Sequence, residues 1–284
     1  MHEIDRALAN DIDRVVKQAL AEDLGSGDLT AALVPEHGFA RARVIARERA
    51  VLCGSPWFDE VFRQLDSRIT VRWHHTDGDA LAPGVTVCEI EGPARPILSG
   101  ERTALNLLQL LSGTATATRN YVAEITGTSA RILDTRKTVP GLRLAQKYAV
   151  RCGGGSNHRL GLYDAILIKE NHIAAAGTLA AAVEAAAANA DSVMIEVEVE
   201  SLTQLAEALA TRADRVLLDN FDVENLASAV AMRNAVDGRL IELEASGGIT
   251  LANIREIAAT GVDVISVGAI TKDVIATDYS MRFD

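Results

Sequence analysis

The sequence has few aromatic residues, few cysteines and no long apolar run. Aromatic residues make up 4% of the chain, which argues against the stacking surfaces that bind single-stranded nucleic acids. The three cysteines, Cys53, Cys88 and Cys152, show no paired spacing, as is typical of a reducing compartment and of a chain without structural zinc. No apolar run is long enough to cross a bilayer, and the N-terminus lacks the basic and apolar regions of a signal peptide. We therefore expect a cytoplasmic protein with no membrane partner.

Basic residues are fewer than acidic ones over the whole chain, but they are in excess in one stretch. The formal net charge is -11, which disfavours nucleic acid as a partner. Between Arg131 and Lys169, however, eight basic residues face only two acidic ones. This basic block contains Arg131, Arg136, Lys137, Arg143, Lys147, Arg151, Arg159 and Lys169. It predicts a focused site for an anionic ligand; a nucleic-acid groove is the alternative, weakened by the missing aromatic residues.

Aliphatic residues are abundant, and their spacing differs between the first and second parts of the chain. The first part is mixed, with helices predicted at 11–24 and 55–65 and strands at 40–52, 69–73 and 85–90. In the second part, short apolar strands are predicted at 131–133, 165–168, 193–199, 215–218, 240–243 and 264–267. Segments of helical character lie between most of them, at 179–188, 202–210, 223–232 and 254–259. This alternation predicts an α/β fold in which parallel βα units close into a barrel.

A long helix is predicted to begin at Ser99, between these two parts. Ser99 suits an N-cap and Glu101 suits the positive first turn, but Arg102 opposes the helix dipole there. Two interpretations remain open: solvent screens the Arg102 charge, or Arg102 faces an anionic ligand.

Polar residues recur where the predicted barrel strands end. They are Asp134, Lys169, Glu198, Asp219, Glu244 with Ser246, and Gly268. A single charged residue at a strand end is commonly just solvated. Since all carboxyl ends of parallel barrel strands converge on one mouth, the whole set predicts an active site there.

Two further patterns indicate what this mouth binds. Glu196, Glu198 and Glu200 occupy alternate positions of one strand and so share a strand face. Inside a barrel their charge would be offset by Lys169, a metal ion or ribose hydroxyls. The alternative is an edge strand whose glutamate face is exposed to water. The glycine-rich turns Ala245-Ser246-Gly247-Gly248 and Val267-Gly268 suit a phosphate cradle built from backbone N–H groups. For His158 inside the basic block, a ligand contact and a structural role are equally compatible with the sequence.

Seven motifs, in order along the chain, resemble the signature of the quinolinate phosphoribosyltransferase family, also called nicotinate-nucleotide diphosphorylase (carboxylating). They are Glu101-Arg102-Thr103-Ala104-Leu105-Asn106, Asp134-Thr135-Arg136-Lys137-Thr138, Gly153-Gly154-Gly155-Ser156-Asn157-His158-Arg159, Lys169-Glu170-Asn171-His172, Glu196-Val197-Glu198, Leu218-Asp219-Asn220 and Glu244-Ala245-Ser246-Gly247-Gly248-Ile249.

The resemblance implies a fold, a reaction and an assembly. It implies an N-terminal α/β sandwich domain over 1–113, onto which 270–284 can pack back, and a C-terminal incomplete (β/α) barrel over 114–269. The implied reaction joins quinolinate to 5-phosphoribosyl 1-diphosphate with Mg²⁺, and gives nicotinate mononucleotide, diphosphate and CO₂ for NAD synthesis. The implied assembly is a homodimer or a multiple of it, in which Arg102 is shared across the interface.

The resemblance also assigns residues. The implied quinolinate contacts are Arg102, Thr135, Arg136, His158, Arg159 and Lys169, and Lys137 is the implied diphosphate contact. Glu198 and Asp219 resemble the carboxylates that serve the ribose hydroxyls and Mg²⁺, directly or through water or substrate. Ala245, Ser246, Gly247, Gly248, Ser266, Val267 and Gly268 resemble the 5-phosphate cradle.

Other functions remain open at this stage. Inside the fold, they are nicotinate phosphoribosyltransferase and a related barrel protein linked to molybdate transport genes. Outside it, they are a Schiff-base aldolase that uses Lys169 and a non-catalytic phosphate-sugar binding protein. The basic block favours an acceptor with two carboxylates over nicotinate, which has one.

Overall fold

The structure is a computed structural model that describes residues 3–189, 193–236 and 241–284. Contacts between Cα atoms divide the chain into two compact units. Unit 1 comprises residues 1–119, 138–154 and 271–284, and unit 2 comprises 120–137 and 155–270. The domain boundaries inferred from the sequence remain a prediction.

The described residues form helices and strands in both units. The helices are α1 (Glu3–Leu24), α2 (Ser55–Leu65), α3 (Ala94–Glu124), α4 (Arg143–Cys152), α5 (Glu170–Ala176), α6 (Leu179–Asn189), α7 (Leu202–Leu209), α8 (Val223–Asn234), α9 (Ile254–Ala259) and α10 (Ala269–Lys272), with a 3₁₀ turn at Ala31–Leu33. The strands are β1 (Phe39–Ala46), β2 (Ala50–Val51), β3 (Thr70–Trp73), β4 (Ala80–Leu81), β5 (Thr86–Pro93), β6 (Arg131–Leu133), β7 (Ala165–Ile168), β8 (Met194–Val199), β9 (Arg215–Asp219), β10 (Glu242–Ser246), β11 (Val264–Ser266) and β12 (Tyr279–Phe283).

Unit 1 is built on an antiparallel sheet. In its described residues the strand order is β12-β1-β5-β3, and β2 pairs separately with β4. The aromatic side chains of α2 form the centre of the core, where Phe58 packs edge-on against Phe62 and Trp73 with ring centroids 5.2 and 5.3 Å apart. Burial of these rings and of the leucines of α3 supplies the main driving force for this unit.

Unit 2 contains the predicted parallel sheet. Its described residues form six strands in the order β6-β11-β10-β9-β8-β7, and every neighbouring pair is parallel. The strands are short, apolar and mostly buried, as expected for a sheet covered by helices. The carboxyl ends of all six therefore lie at one edge. The predicted fold class, an α/β sandwich domain followed by an incomplete (β/α) barrel, is confirmed.

Three boundaries differ from the prediction and matter for function. Helix α3 begins at Ala94, so Ser99 lies inside it and donates its hydroxyl to Asp28 Oδ2 at 2.8 Å. The predicted position of Arg102 in the first turn of this helix was therefore wrong. The argument that Arg102 opposes the helix dipole there no longer applies. Pro96 explains the earlier start, because proline is tolerated in the first turn of a helix.

The other two differences concern a helix and a strand. Helix α1 starts at Glu3, before the predicted cap at Asp11, because the apolar period already includes Leu8, which packs against the core. The strand predicted at 240–243 is β10 from Glu242 to Ser246, so Glu244 lies within the strand and not after it. Leu240 lies outside the described residues. None of the described helices combines the length and apolarity that crossing a membrane requires.

Candidate active site

A cavity of about 560 Å³ opens at the carboxyl ends of the parallel strands of unit 2. Each strand, or the segment that follows it, contributes to its wall. The lining residues are Thr135, Arg136, Lys137, His158, Arg159, Leu167, Lys169, Glu198, Leu217, Asp219, Asn220, Glu244, Ser246, Gly247, Gly248 and Ser266. This is the edge at which parallel α/β folds bind their ligands.

Most of the residues predicted for the site meet in this cavity. The remaining five are Arg102, Asp134, Ala245, Val267 and Gly268. Ala245 and Val267 are buried in the strand ends behind the wall, and a Cβ at Gly268 would lie 3.1 Å from Lys137 Cδ. Arg102 is exposed on α3 in unit 1. The individual roles of these residues remain predictions.

The basic block is divided between the two units. Its members Arg136, Lys137, Arg159 and Lys169 line the cavity. The three on α4 (Arg143, Lys147 and Arg151) belong to unit 1, and Arg131 pairs with Glu242 at 2.6 Å. Four of the eight basic residues thus line the cavity of unit 2, and a single cluster that includes the other four stays a prediction.

Two arginines of the cationic wall, Arg136 and Arg159, repel each other. Burial, followed by repulsion from Arg136, lowers the pKa of the Arg159 guanidinium from its usual value. A guanidinium does not lose its proton in a protein, so this unfavourable interaction persists until an anion enters. Two neighbouring arginines with fork geometry suit planar carboxylates. The cavity is therefore prepared for an anionic ligand.

The carboxylates opposite this wall are partly paired. Lys169 Nζ lies 2.5 Å from Glu198 Oε2, an ion pair that offsets one negative charge of β8. Asp219, the last residue of β9, accepts a hydrogen bond from Asn220 Nδ2 at 2.9 Å. Glu200 follows β8 and is exposed, so the three alternating glutamates do not share one environment. Since β8 lies between β7 and β9, the predicted alternative of a wet edge strand was wrong.

A buried acidic pair lies at the wall of the cavity, to which Glu244 contributes. Glu196 and Glu244 are both fully buried, with His158 Nε2 2.8 Å from Glu196 Oε2 and Arg215 Nη1 3.3 Å from Glu244 Oε2. Burial, followed by repulsion from Glu196, raises the pKa of Glu244 to about 8. Both oxygens of Glu196 lack a hydrogen-bond partner of good geometry among the described residues. A proton on Glu244, donated to Glu196, supplies the missing bond.

His158 is held from two sides. Its backbone N–H donates to Asp134 Oδ1 at 2.8 Å, and Asn157 Nδ2 donates to Asp134 Oδ2 at 2.6 Å. Asp134, predicted at the strand end as a site residue, is fully buried and does not line the cavity among the described residues. Its carboxylate fixes the segment that presents His158. The ring faces Glu196 at the cavity, which supports the structural interpretation, and a ligand contact by His158 stays a prediction.

The phosphate-loop candidate is fixed by close backbone packing. Asn220 has φ 56°, a left-handed conformation that asparagine tolerates better than most residues. Its N–H donates to Ser246 O at 2.9 Å. Gly247 has φ 95°, and a Cβ there would lie 2.1 Å from Asn220 Oδ1. The positive φ and this close approach favour glycine at position 247, and both Gly247 and Gly248 line the cavity.

Three lining residues were not predicted as site residues: Asn220, Leu167 and Leu217. Asn220 carries a usable signal, because an asparagine directly after a strand-end aspartate is a candidate for the left-handed conformation. Leu167 and Leu217 resemble any other strand leucine in the sequence. Their exposure to the cavity depends on the direction in which each strand faces, which periodicity over so few residues does not fix.

Comparison with known proteins gives a consistent result. Residues 28–112 match the family model "Quinolinate phosphoribosyl transferase, N-terminal domain", and residues 114–282 match the corresponding C-terminal domain. A Bacillus subtilis protein named probable nicotinate-nucleotide pyrophosphorylase [carboxylating] is 42% identical over 95% of this chain and 92% of its own length. A Mycobacterium leprae protein named nicotinate-nucleotide pyrophosphorylase [carboxylating] is 43% identical over 94% and 95%.

Solved structures agree with the sequence matches. The structure of the nicotinate-nucleotide pyrophosphorylase from Francisella tularensis superposes with a TM-score of 0.95 at 45% identity and covers 100% of both chains. Both the sequence and the fold of this chain are thus similar to those proteins over nearly their whole length.

Proposed function

Since the chain belongs to the quinolinate phosphoribosyltransferase family, we propose that it transfers the phosphoribosyl group of 5-phosphoribosyl 1-diphosphate to quinolinate. The products are nicotinate mononucleotide, diphosphate and CO₂, the carboxylate-losing step in the synthesis of NAD. We propose that it works in the cytoplasm on these small molecules, without nucleic acid or membrane as partner. The observation that carries the assignment is the cationic wall of Arg136, Arg159 and Lys169, in which Arg136 and Arg159 lie close enough to repel each other.

The cationic side of the cavity suits quinolinate. Arg136, Arg159 and Lys169 would grip its two carboxylates, with Thr135 as a neutral donor and His158 at the floor. Gripping both carboxylates fixes the orientation of the ring nitrogen toward the ribose, which makes the attack effectively intramolecular. The Lys169–Glu198 pair adds a constraint, because a quinolinate carboxylate would compete with Glu198 for the same ammonium group.

The opposite side suits the phosphoribosyl donor. In the transition state the anomeric carbon becomes cation-like while negative charge builds on the departing diphosphate. Glu198 and Asp219 would hold the ribose hydroxyls and offset the positive charge, and Lys137 would stabilise the leaving group. The segments 245–248 and 266–268 would bind the 5-phosphate through backbone N–H groups.

The cavity also offers oxygen ligands for Mg²⁺. Mg²⁺ is held by one or two carboxylates together with substrate phosphates and water, and Glu198 and Asp219 fit that requirement. Because Glu198 already pairs with Lys169, Asp219 is the better direct ligand and Glu198 the better contact through water or ribose. When bound, the ion would supply charge neutralisation of the diphosphate.

Decarboxylation needs no further protein group in this scheme. Once the ring nitrogen carries the ribose it is cationic, and it can accept the electron pair left by the departing CO₂. The chain's contribution is to keep the ring in place during that step.

We further propose a homodimer, or a multiple of it, in which each cavity is completed by Arg102 of a second copy. The family resemblance and the exposure of Arg102 on α3 support this arrangement.

The deciding experiment compares two acceptors. With 5-phosphoribosyl 1-diphosphate and Mg²⁺, kcat/KM for quinolinate should exceed that for nicotinate by at least about thirtyfold, since leaving arginines unpaired after the bound acceptor has desolvated them costs roughly 2–5 kcal/mol. Release of CO₂ provides an independent readout. Comparable values for the two acids would instead assign the chain to nicotinate phosphoribosyltransferase, and binding without any turnover would indicate a phosphate-sugar binding protein.

A further inference from the structure

Two of the three cysteines, widely separated in sequence, meet inside unit 1. Cys53 lies between β2 and α2, and Cys152 is the last residue of α4. Their sulfur atoms and a carboxylate oxygen of Asp77 all lie within 4.8 Å of one another. Both cysteines are free thiols, Cys53 buried and Cys152 partly exposed. The third, Cys88, is buried on β5.

The backbone on each side of this thiol pair is fixed. The Cys53 N–H donates to Ser112 Oγ at 3.0 Å, and Ser112 Oγ donates back to the Cys53 carbonyl at 3.1 Å. Arg119 Nη2 donates to the Cys152 carbonyl at 3.2 Å. A disulfide has an S–S bond of about 2.05 Å, so the sulfur atoms need to approach by about 3 Å at most. With both backbones anchored, the two thiols stay within reach of each other.

The two thiols differ in a way that suits a stepwise oxidation. A hydrogen bond from the Cys53 thiol lowers the pKa of Cys152 from its usual value, while burial raises the pKa of Cys53. Cys152 is thus the more nucleophilic sulfur, and it belongs to the partly exposed residue of the pair. Cys53 is the buried sulfur poised to resolve it.

A bound metal is the less suitable occupant. Both oxygens of Asp77 are already used: Oδ2 accepts from the Gly54 N–H and the Tyr148 hydroxyl at 2.9 Å each, and Oδ1 accepts from the Ser55 N–H at 3.2 Å. These bonds cap the N-terminus of α2. A structural zinc site requires four ligands, and recruiting Asp77 would weaken the cap.

We propose that Cys53 and Cys152 form a reversible disulfide on exposure to hydrogen peroxide, linking the turn before α2 to the end of α4. In the first step the Cys152 thiolate attacks the peroxide, the O–O bond breaks, and Cys152 becomes a sulfenic acid while hydroxide leaves and takes up a proton. In the second step the Cys53 sulfur, after losing its proton, attacks the Cys152 sulfur. The S–S bond forms, the S–O bond breaks, and water leaves. Two thiols are oxidised and one peroxide is reduced to two waters.

The test uses the full-length, reduced protein treated with hydrogen peroxide. After alkylation in denaturant, the number of labelled cysteines per chain should fall from three to one, with the loss of two hydrogens in the intact mass. Peptide mapping should find Cys53 joined to Cys152 in the monomeric band, and dithiothreitol should restore all labels. Cys88→Ser is the matched control, since it removes a buried thiol outside the pair and should keep the bond.

Two variants distinguish the loss of this disulfide from a folding defect. Cys152→Ser and Cys53→Ala should each abolish the internal bond, and Cys152→Ser changes only a partly exposed side chain. Cys152 converted to sulfinic acid with Cys53 still free, a bond that includes Cys88, or a bond only between chains would each overturn the proposal. So would a stoichiometric metal that protects both thiols in the protein as isolated. None of these outcomes depends on the proposed reaction of unit 2.

Discussion

At the scale of single residues, burial and pairing decide which charge a side chain carries. Lys169 Nζ is 2.5 Å from a Glu198 oxygen, and that contact favours the ammonium form. A lysine that forms a Schiff base must be available as a neutral amine, through desolvation or a neighbouring cation. The geometry at Lys169 is the opposite, because its nearest charged neighbour is a carboxylate.

Lys169 should therefore form no covalent adduct. Incubation with a carbonyl sugar phosphate and borohydride should leave the mass of the protein unchanged, with Lys169→Arg as the blank. Lys169→Arg should also retain more turnover than Lys169→Met, because it keeps the positive charge. An adduct trapped at Lys169 would move the chain into the aldolase class.

Glu244 leads to a prediction about pH and stability. Its pKa is raised from 4.5 to about 8 in the folded state. An acid with a raised pKa contributes stability that is complete below its unfolded pKa and is lost as pH rises through the folded value. The free energy of unfolding should therefore decrease between about pH 5 and about pH 8, with a limiting slope of roughly 1.4 kcal/mol per pH unit. The charged or titratable groups that face Glu244 are Glu196, His158 and Arg215.

Urea unfolding at several pH values checks this prediction. Glu244→Gln keeps a hydrogen-bond donor toward Glu196 but has no proton to lose, so its dependence on pH should be flatter. Glu207→Gln, on the exposed face of α7, should behave like the wild type. The same slope in Glu244→Gln and wild type would show that another group carries the effect.

Residue-level reasoning succeeded where chemistry follows directly from position in the chain. Lys169, Glu198 and Asp219 could be expected in one cavity because each ends or follows a parallel strand. The pairing of Lys169 with Glu198 could not be expected, and neither could the burial of Glu244, which lies two residues before Ser246 on β10. Both depend on which face of each strand points inward, and a shift of one residue along a strand reverses that face.

At the scale of elements, the loops that join β9 to α8 and β10 to α9 act together. Asn220 and Gly247 touch, and each adopts a left-handed backbone conformation. The shape of the proposed phosphate site therefore depends on two loops from neighbouring strands, not on the glycine-rich turn alone.

Gly247→Ala should damage this site. The new Cβ would lie 2.1 Å from Asn220 Oδ1 and 3.0 Å from Asn220 N, so one loop must move. We expect KM for 5-phosphoribosyl 1-diphosphate to rise at least about tenfold, equivalent to about 1.4 kcal/mol. Gly177→Ala is the matched control, because φ is 89° there and no atom lies within 4 Å; it should cost about 1 kcal/mol of stability and leave KM unchanged.

A rescue variant sharpens the interpretation. Asn220→Gly combined with Gly247→Ala removes the clashing amide and should recover part of the lost affinity. If Gly247→Ala binds the donor as the wild type does, the loop is not the phosphate site.

Buried strands and amphipathic helices could be predicted well, and elements without such a signal could not. α2, β6, β7 and α9 have the predicted bounds because each is a compact apolar pattern between clear turns. α4 was missed: it is rich in arginine and lysine, so the sequence suggested a binding surface and not a helix with buried Lys147. β12 was missed because its stability comes from pairing with β1, more than 230 residues away.

At the scale of the whole molecule, the decisive contacts join distant parts of the chain. Unit 1 is assembled from three separate segments, and Cys53 meets Cys152 only because α4 joins that unit. Spacing in the sequence gave no indication of this pair, since paired spacing identifies only cysteines that are close along the chain. The proposed sharing of Arg102 is another relation that no spacing reveals.

Subunit exchange tests that sharing. Arg102→Ala and Lys169→Ala should each be nearly inactive as homodimers. In a mixed dimer, the cavity of the Arg102→Ala chain keeps its own Lys169 and receives Arg102 from the other chain, so one site is restored while the other carries both defects. Random pairing makes about half of the dimers mixed, so activity should return to roughly a quarter of the wild-type value. If Arg102 served its own chain, each site would retain one defect in every pairing. A mixture that stays inactive, although mass spectrometry shows that mixed dimers have formed, would therefore refute the shared site and leave the proposed reaction intact.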